Sequence, residues 1–187
     1  IFLQDWRSTV IPAIAVPVSL VGTFFFIQFL GFSLNLITLF ALVLAIGIVV
    51  DNAIVVVEAV HAKMEHSKMG PLKATEQAMK EISGAIIAIT LVMSAVFVPV
   101  AFMSGPSGIF YRQFSLTMAI SIVLSGIVAL TLTPALCAII LINPHSKKYH
   151  KSRFAKLFDG FNNWYHRIED RYKRLLELIV NRRTVTF

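Results

Sequence analysis

Four stretches of the chain are apolar on all sides and long enough to cross a bilayer, which takes about 20 residues at 1.5 Å rise each. They cover residues 10–30, 32–60, 84–103 and 114–142. Only Gly31 separates the first two, so a tight antiparallel hairpin is expected there. The third and fourth are joined by Ser104-Gly-Pro-Ser-Gly108, a short link made of turn residues. The link between the second and third is longer, polar and charged. Pro12, Pro17, Pro99 and Pro134 fall inside spans. Neighbouring helices can satisfy the carbonyls that proline frees, and static kinks are commoner than hinges.

After residue 142 the pattern changes. Phe154, Leu157, Phe158, Phe161, Trp164, Tyr165, Ile168, Tyr172, Leu175, Leu176 and Ile179 recur at spacings of three and four, one face of a helix. Lys156, Arg167, Arg171, Lys173 and Arg174 fill the remainder. A basic amphipathic helix with an aromatic face, following directly on a span, is expected to lie in the headgroup region. Packing on a soluble partner uses the same periodicity. The expected architecture is therefore an all-α, polytopic transmembrane helix bundle with a C-terminal amphipathic interfacial helix. Its parts are the end of a preceding span and a turn (1–9), four spans (10–142), a basic linker with the amphipathic helix (143–180), and the start of another span (181–187).

Composition agrees with a membrane setting: 57% of the residues are hydrophobic and the mean hydropathy is +0.76. The chain starts at Ile1 and ends at Phe187 where an apolar run begins, so it reads as a piece of a larger protein. No signal-peptide pattern is present. Cys137 is the single cysteine, which leaves no intrachain disulfide; a small buried hydrophobe is its expected role. Of the 17 Lys and Arg residues, all but Arg112 fall on one side of the spans. The positive-inside rule makes that side, with both ends of the chain, cytoplasmic. The net charge of +7 accordingly reads as a topology signal and a lipid-facing charge, and not as a nucleic-acid surface.

One position breaks the apolar pattern. Asp51 and Asn52 lie inside the run Leu42-Val-Leu-Ala-Ile-Gly-Ile-Val-Val-Asp-Asn-Ala-Ile-Val-Val-Val57, with no cation within a helical turn. An ionised Asp at the centre of a span costs roughly 2.5–3.5 kcal/mol on insertion scales. Such acids mark ion or proton paths, or else are structural groups tied to a neighbouring helix. At 100° per residue Asp51 shares a face with Leu44, Gly47, Ile54 and Glu58, while Thr38, Ala45 and Asn52 lie on an adjoining one. Gly47 would let another helix approach one turn from the carboxylate. No Lys or Arg lies within the apolar core of any span, so a counter-ion must come from elsewhere. His61 and His66 are spaced off a common face, so no metal site is expected. No phosphate-cradling loop, Ser/His/Asp set or cysteine pair is present, and so no catalytic site is expected.

The run Leu44-Ala-Ile-Gly-Ile-Val-Val-Asp-Asn-Ala-Ile-Val-Val-Val-Glu58 resembles the proton-relay helix of resistance-nodulation-division (RND) efflux pumps, in particular the AcrB-like multidrug branch. Phe2-Leu-Gln, Ile11-Pro-Ala-Ile-Ala-Val-Pro-Val18, Gly31-Phe-Ser-Leu-Asn35, Ser94-Ala-Val-Phe-Val-Pro99, Tyr111-Arg-Gln-Phe-Ser115 and Leu132-Thr-Pro-Ala-Leu-Cys137 resemble that branch in the same order. The resemblance runs from the start of the chain to about residue 142 and fades in the tail. It implies part of the first membrane half of a proton-driven drug/proton antiporter, a secondary transporter and not an enzyme. It further implies a homotrimer in the bacterial inner membrane, working with a periplasmic adaptor and an outer-membrane channel. The coupling ion would be H+, with no other cofactor and no bound metal. Asp51 would be the proton-relay residue, with Asn52, Gly47 and Thr38 in support and a lysine on the second membrane half as the counter-ion. The multidrug branch commonly has two adjacent aspartates here, whereas this chain has Asp51 followed by Asn52. A single relay acid also occurs in the metal-exporting branch, and a proton-driven protein-export motor would share the architecture.

Overall fold

In the computed structural model of the chain, residues 6–67, 69–105, 107–142, 167–168 and 171–172 are described. The expected amphipathic helix and the start of a further span lie, apart from residues 167–168 and 171–172, outside them. The chain divides into two units, Ile1–Tyr149 and His150–Phe187. In the second, Arg167, Ile168, Arg171 and Tyr172 are helical and exposed.

The first unit is all helix among the described residues: α1 (Trp6–Phe29), α2 (Leu36–Ser67), α3 (Pro71–Phe97), α4 (Gly108–Leu130) and α5 (Leu132–Ile140), with a single 3-10 turn, Pro99–Phe102, after α3. With that turn joined to α3, and α5 to α4, four helices are long and apolar enough to cross a membrane. α1 and α3 flank α2, and all three pack on α4.

Packing is inverted relative to a water-soluble protein. The buried positions are dominated by small side chains: Ala15, Ala41, Ala45, Ala53, Ala74, Ala78 and Ala129 with Ser8, Ser19, Ser115, Ser121 and Ser125. Large apolar side chains face outward, among them Phe29 at 78% exposure, Val21 at 68% and Leu91 at 64%. In lipid, exposed Phe and Leu cost nothing, and helices associate through small residues that let backbones approach and through polar groups that bond across. Apolar surface on this scale, on four helices long and apolar enough to cross a membrane, is surface for lipid and for further membrane helices. The protein is a multi-pass membrane protein.

Gly126 of α4 shows how close the approach is. A Cβ built there would stand 2.5 Å from Thr90 Oγ1 and 2.8 Å from Thr90 Cγ2 on α3. Two apolar clusters fill the rest of the interior. One joins Ala41, Ala45, Met118 and Ile122, with Phe97 and Phe114 against it. The other joins Val56, Val57, Val60 and Met64 of α2 to Ile11, Ala78, Ile86, Ala129 and Cys137.

The ends of the helices differ from the boundaries that hydropathy suggests. At the close of α1, the Phe32 N–H donates to the Ile27 carbonyl (3.1 Å) and the Gly31 N–H to that of Gln28 (3.0 Å). This is a Schellman closure, and Gly31 supplies its positive φ of 70°. The connection then runs on to Asn35, so it is longer than Gly31 alone. Asn35 Oδ1 accepts from the N–H groups of Ile37 (3.0 Å) and Thr38 (2.9 Å), and the Asn35 N–H donates back to Thr38 Oγ1 (2.9 Å). The cap starts α2 at Leu36 in place of residue 32. Asn35 Nδ2 also donates to Gln113 Oε1 on α4. Replacing Asn35 with Ala is expected to cost about 1 kcal/mol. Amide hydrogen exchange should accelerate at residues 36–39 and stay unchanged beyond residue 50.

At its other end α2 continues past residue 60 to Ser67, and α3 starts at Pro71, well before residue 84. Most of the charged link expected there is helical, as extensions of α2 to Ser67 and of α3 back to Pro71. Its residues are helix formers, and Pro71 suits the first helical position because it has no N–H to leave unpaired. Lys63 of α2 pairs with Glu81 of α3 at 2.6 Å, and Lys80 with Glu76 at 2.9 Å. Exposed pairs of this kind contribute about 0–1 kcal/mol each. Pro99 ends α3 and opens the 3-10 turn. Pro134 lacks the N–H that would bond the Leu130 carbonyl, and the helix breaks at Thr131, just before α5 begins at Leu132. Pro12 and Pro17 lie within α1.

Candidate functional site

The site lies on α2, which carries two unlike neighbours at its middle. Successive residues on a helix project 100° apart. Ala45, Val49, Asn52, Ala53 and Val56 are buried, on the side that packs on the other helices. Leu44, Gly47, Asp51, Val55 and Glu58 are all exposed. The acid and the amide, adjacent in sequence, therefore face different surroundings.

Asn52 is 6% exposed and donates through Nδ2 to Ser125 Oγ of α4, itself 1% exposed, at 2.9 Å. Small residues make this contact possible: Ser121, Ser125 and Ala129 recur every fourth position on the buried side of α4. The bond sits between the two apolar clusters, since Ala45 and Ile122 belong to one and Val56 and Ala129 to the other.

Asp51 has no such partner among the described residues: neither ion pair involves it and no hydrogen bond reaches it. The sequence contains no Lys or Arg between Arg7 and Lys63, between Lys80 and Arg112, or between Arg112 and Lys147. The exposed neighbours of Asp51 one turn to either side, Gly47 and Val55, carry neither charge nor a side-chain hydrogen-bonding group. In a membrane, such a face needs cover from another polar surface, because an ionised carboxylate in hydrocarbon is costly.

The other expected residues divide. Gly47 is exposed one turn from Asp51, with nothing of this chain within 4 Å of a Cβ built there. The space it opens is on the same side as the acid. Thr38 is buried and bonded to the Asn35 cap; at 1.5 Å per residue it lies about 20 Å from Asp51 along α2. Ser125 joins the site without having stood out in the apolar pattern. Its recurrence with Ser121 and Ala129 at fourfold spacing is the signal that points to it.

The sequence profile of the AcrB/AcrD/AcrF family matches residues 1–187, the whole chain. The chain belongs to that family. It is 46% identical over 177 residues to the solvent-resistant pump membrane transporter SrpB of Pseudomonas putida, covering 95% of the chain and 16% of that relative. To the multidrug export protein AcrF of Escherichia coli it is 49% identical over 165 residues, 88% of the chain and 15% of AcrF. The toluene efflux pump membrane transporter TtgE of Pseudomonas putida is 47% identical over 171 residues, 91% of the chain and 16% of TtgE. The chain thus spans about one-sixth of the length of these relatives. These relatives are RND-type multidrug and solvent efflux transporters, and the part of them that this chain matches is one with four helices able to cross a membrane.

Proposed function

We propose that the chain is part of the membrane half of a proton-driven efflux pump in which Asp51 carries the coupling proton. The observation that carries this reading is the exposed carboxylate on an apolar helix face, beside an amide that packs inward. The open face of α2 is then the surface on which the second membrane half packs. Deprotonated, Asp51 is held there by a cation from that half, and a lysine suits the role. Protonated, it releases the cation, and the two groups of helices shift against each other.

Each proton moving down 100 mV supplies roughly 2.3 kcal/mol, enough to bias a conformational equilibrium of a few kcal/mol. H+ is the only coupling species the scheme requires. In this scheme the basic side of the spans faces the cytoplasm, with both ends of this segment there, as the positive-inside rule favours, and the membrane is the bacterial inner one. Drug- or solvent-like apolar compounds are the cargo, in keeping with the names of the relatives. A homotrimer with a periplasmic adaptor and an outer-membrane channel completes the export path.

The dependence on protons is tested in proteoliposomes holding the full-length parent protein and an apolar fluorescent dye as cargo. Dye export should begin when a pH gradient is imposed, need no ATP, and stop on addition of a protonophore. Export that persists with the gradient collapsed contradicts the reading.

A further inference from the structure

The interface between α2 and α4 is smooth. Ala41 and Ala45 cluster with Met118 and Ile122 toward one end, and Val56 and Ala129 belong to the second cluster toward the other. The small residues Ala41 and Ala45 of α2 and Ser121, Ser125 and Ala129 of α4 permit close approach, and apolar contacts beside them set no direction that would stop one helix from rolling on its neighbour. The amide–hydroxyl bond between Asn52 and Ser125 is the directional contact at that level. The other side-chain bond near this interface, Asn35 to Gln113, lies at the far end of the bundle and starts from the residue before α2. Both partners of the Asn52–Ser125 bond are uncharged, so it does not change with the protonation of its surroundings.

We propose that the Asn52–Ser125 hydrogen bond is a rotational latch that fixes how α2 sits on α4 and thereby aims Asp51 outward, making Asn52 and Ser125 positioning residues for its carboxyl group. The geometry is direct. Asp51 and Asn52 project 100° apart around the helix, so an amide held on α4 leaves the carboxylate on the open side. Rolling α2 to bring Asp51 toward α4 breaks the latch and leaves the amide N–H unpaired beside Val49, Ala53 and Val56, which offer it no side-chain acceptor. The latch thus couples a buried, uncharged contact to the exposed, ionisable one beside it. That coupling takes as its premise the role for Asp51 proposed above; the orientation of the side chain does not.

The test uses the full-length parent in native membranes and a hydrophobic carbodiimide, which modifies protonated carboxyl groups. Modification of the peptide that contains residue 51 is followed by mass spectrometry. Asn52→Val and Ser125→Ala each remove the latch. In the parent the open side is the one the second membrane half covers, so a carboxyl group no longer aimed into that cover should react faster, by about fivefold, the factor that corresponds to one net hydrogen bond. Ser125→Thr keeps the hydroxyl and should label like the wild type. The exchange Asn52→Ser with Ser125→Asn restores the bond with the ends reversed and should return labelling to within about twofold of wild type, since only the direction of the bond has changed.

Single variants that label like the wild type overturn the latch. So does an exchange variant that stays fast while its thermal unfolding midpoint is normal. If either single variant fails to accumulate, Ser125→Thr and the exchange variant decide the matter alone: both must label as the wild type does, and rapid labelling in either overturns the latch. Export assays on Asp51→Asn separate the two readings. Normal export there removes the relay role, while the labelling result still judges the latch.

Discussion

Replacing Asp51 with Asn in the full-length parent should abolish gradient-driven export while leaving substrate binding and protein level unchanged. Asn keeps the size and hydrogen-bonding capacity of the side chain and removes only its ability to take up and release a proton. Asp51 is exposed and is part of neither apolar cluster, so the nearly isosteric substitution leaves the packing of this segment in place. What disappears is the coupling. One proton per 100 mV supports a concentration ratio of about 50-fold, from 2.3 kcal/mol at 1.4 kcal/mol per factor of ten. That ratio should fall to one. Asp51→Glu retains an acid on the same face and should keep part of the activity. A purely structural Asp51 predicts the opposite order, with the isosteric Asn tolerated and the longer Glu the more disruptive.

The second large effect is on stability. Gly126→Ala puts a methyl group 2.5 Å from Thr90 Oγ1 and 2.8 Å from Cγ2, closer than real Cβ atoms approach their neighbours. Thr90 is β-branched and stiff at χ1, so it cannot easily swing clear, and α3 and α4 must separate. Overpacking of this kind costs about 1–3 kcal/mol. The remedy is also specific. Thr90 Oγ1 is buried without a hydrogen-bond partner, so Thr90→Ala sacrifices no bond. The double variant removes both clashing atoms and should recover most of the lost thermal stability of the parent in detergent. Equal destabilisation of the single and double variants would show that the cost does not come from the contact with Thr90.

The sequence carries the spans and the acid because both are matters of composition along one line. Four apolar runs and a lone carboxylate at Asp51 are visible without knowing which helix touches which. Helix ends are not of that kind. Residues 61–83 are polar yet largely helical, since hydropathy reports burial in lipid and not hydrogen bonding, and α2 and α3 therefore outrun their apolar parts. Thr38 shares a face with Asn52 by helical angle, but its hydroxyl is engaged in the Asn35 cap at the start of the helix. Angle alone ignores the distance along the axis.

Ser125 stayed hidden for a different reason. A serine in a span is weakly polar and common at helix interfaces, and only a neighbouring helix reveals what it bonds. The division between Asp51 and Asn52 likewise needed the packing. Periodicity puts them 100° apart, but α4 decides which of the two is buried.

The central claim is that the exposed carboxylate of α2 moves the coupling proton. It is tested most directly by substrate-triggered proton flux. Full-length wild type and Asp51→Asn are reconstituted at equal protein levels with a pH-sensitive dye inside the vesicles, and an imposed gradient is followed as cargo is added. The account predicts a cargo-dependent proton leak through the wild type and none through Asp51→Asn, with cargo binding retained in both. A cargo-dependent leak of equal size through Asp51→Asn would contradict it and place the proton path on another part of the protein.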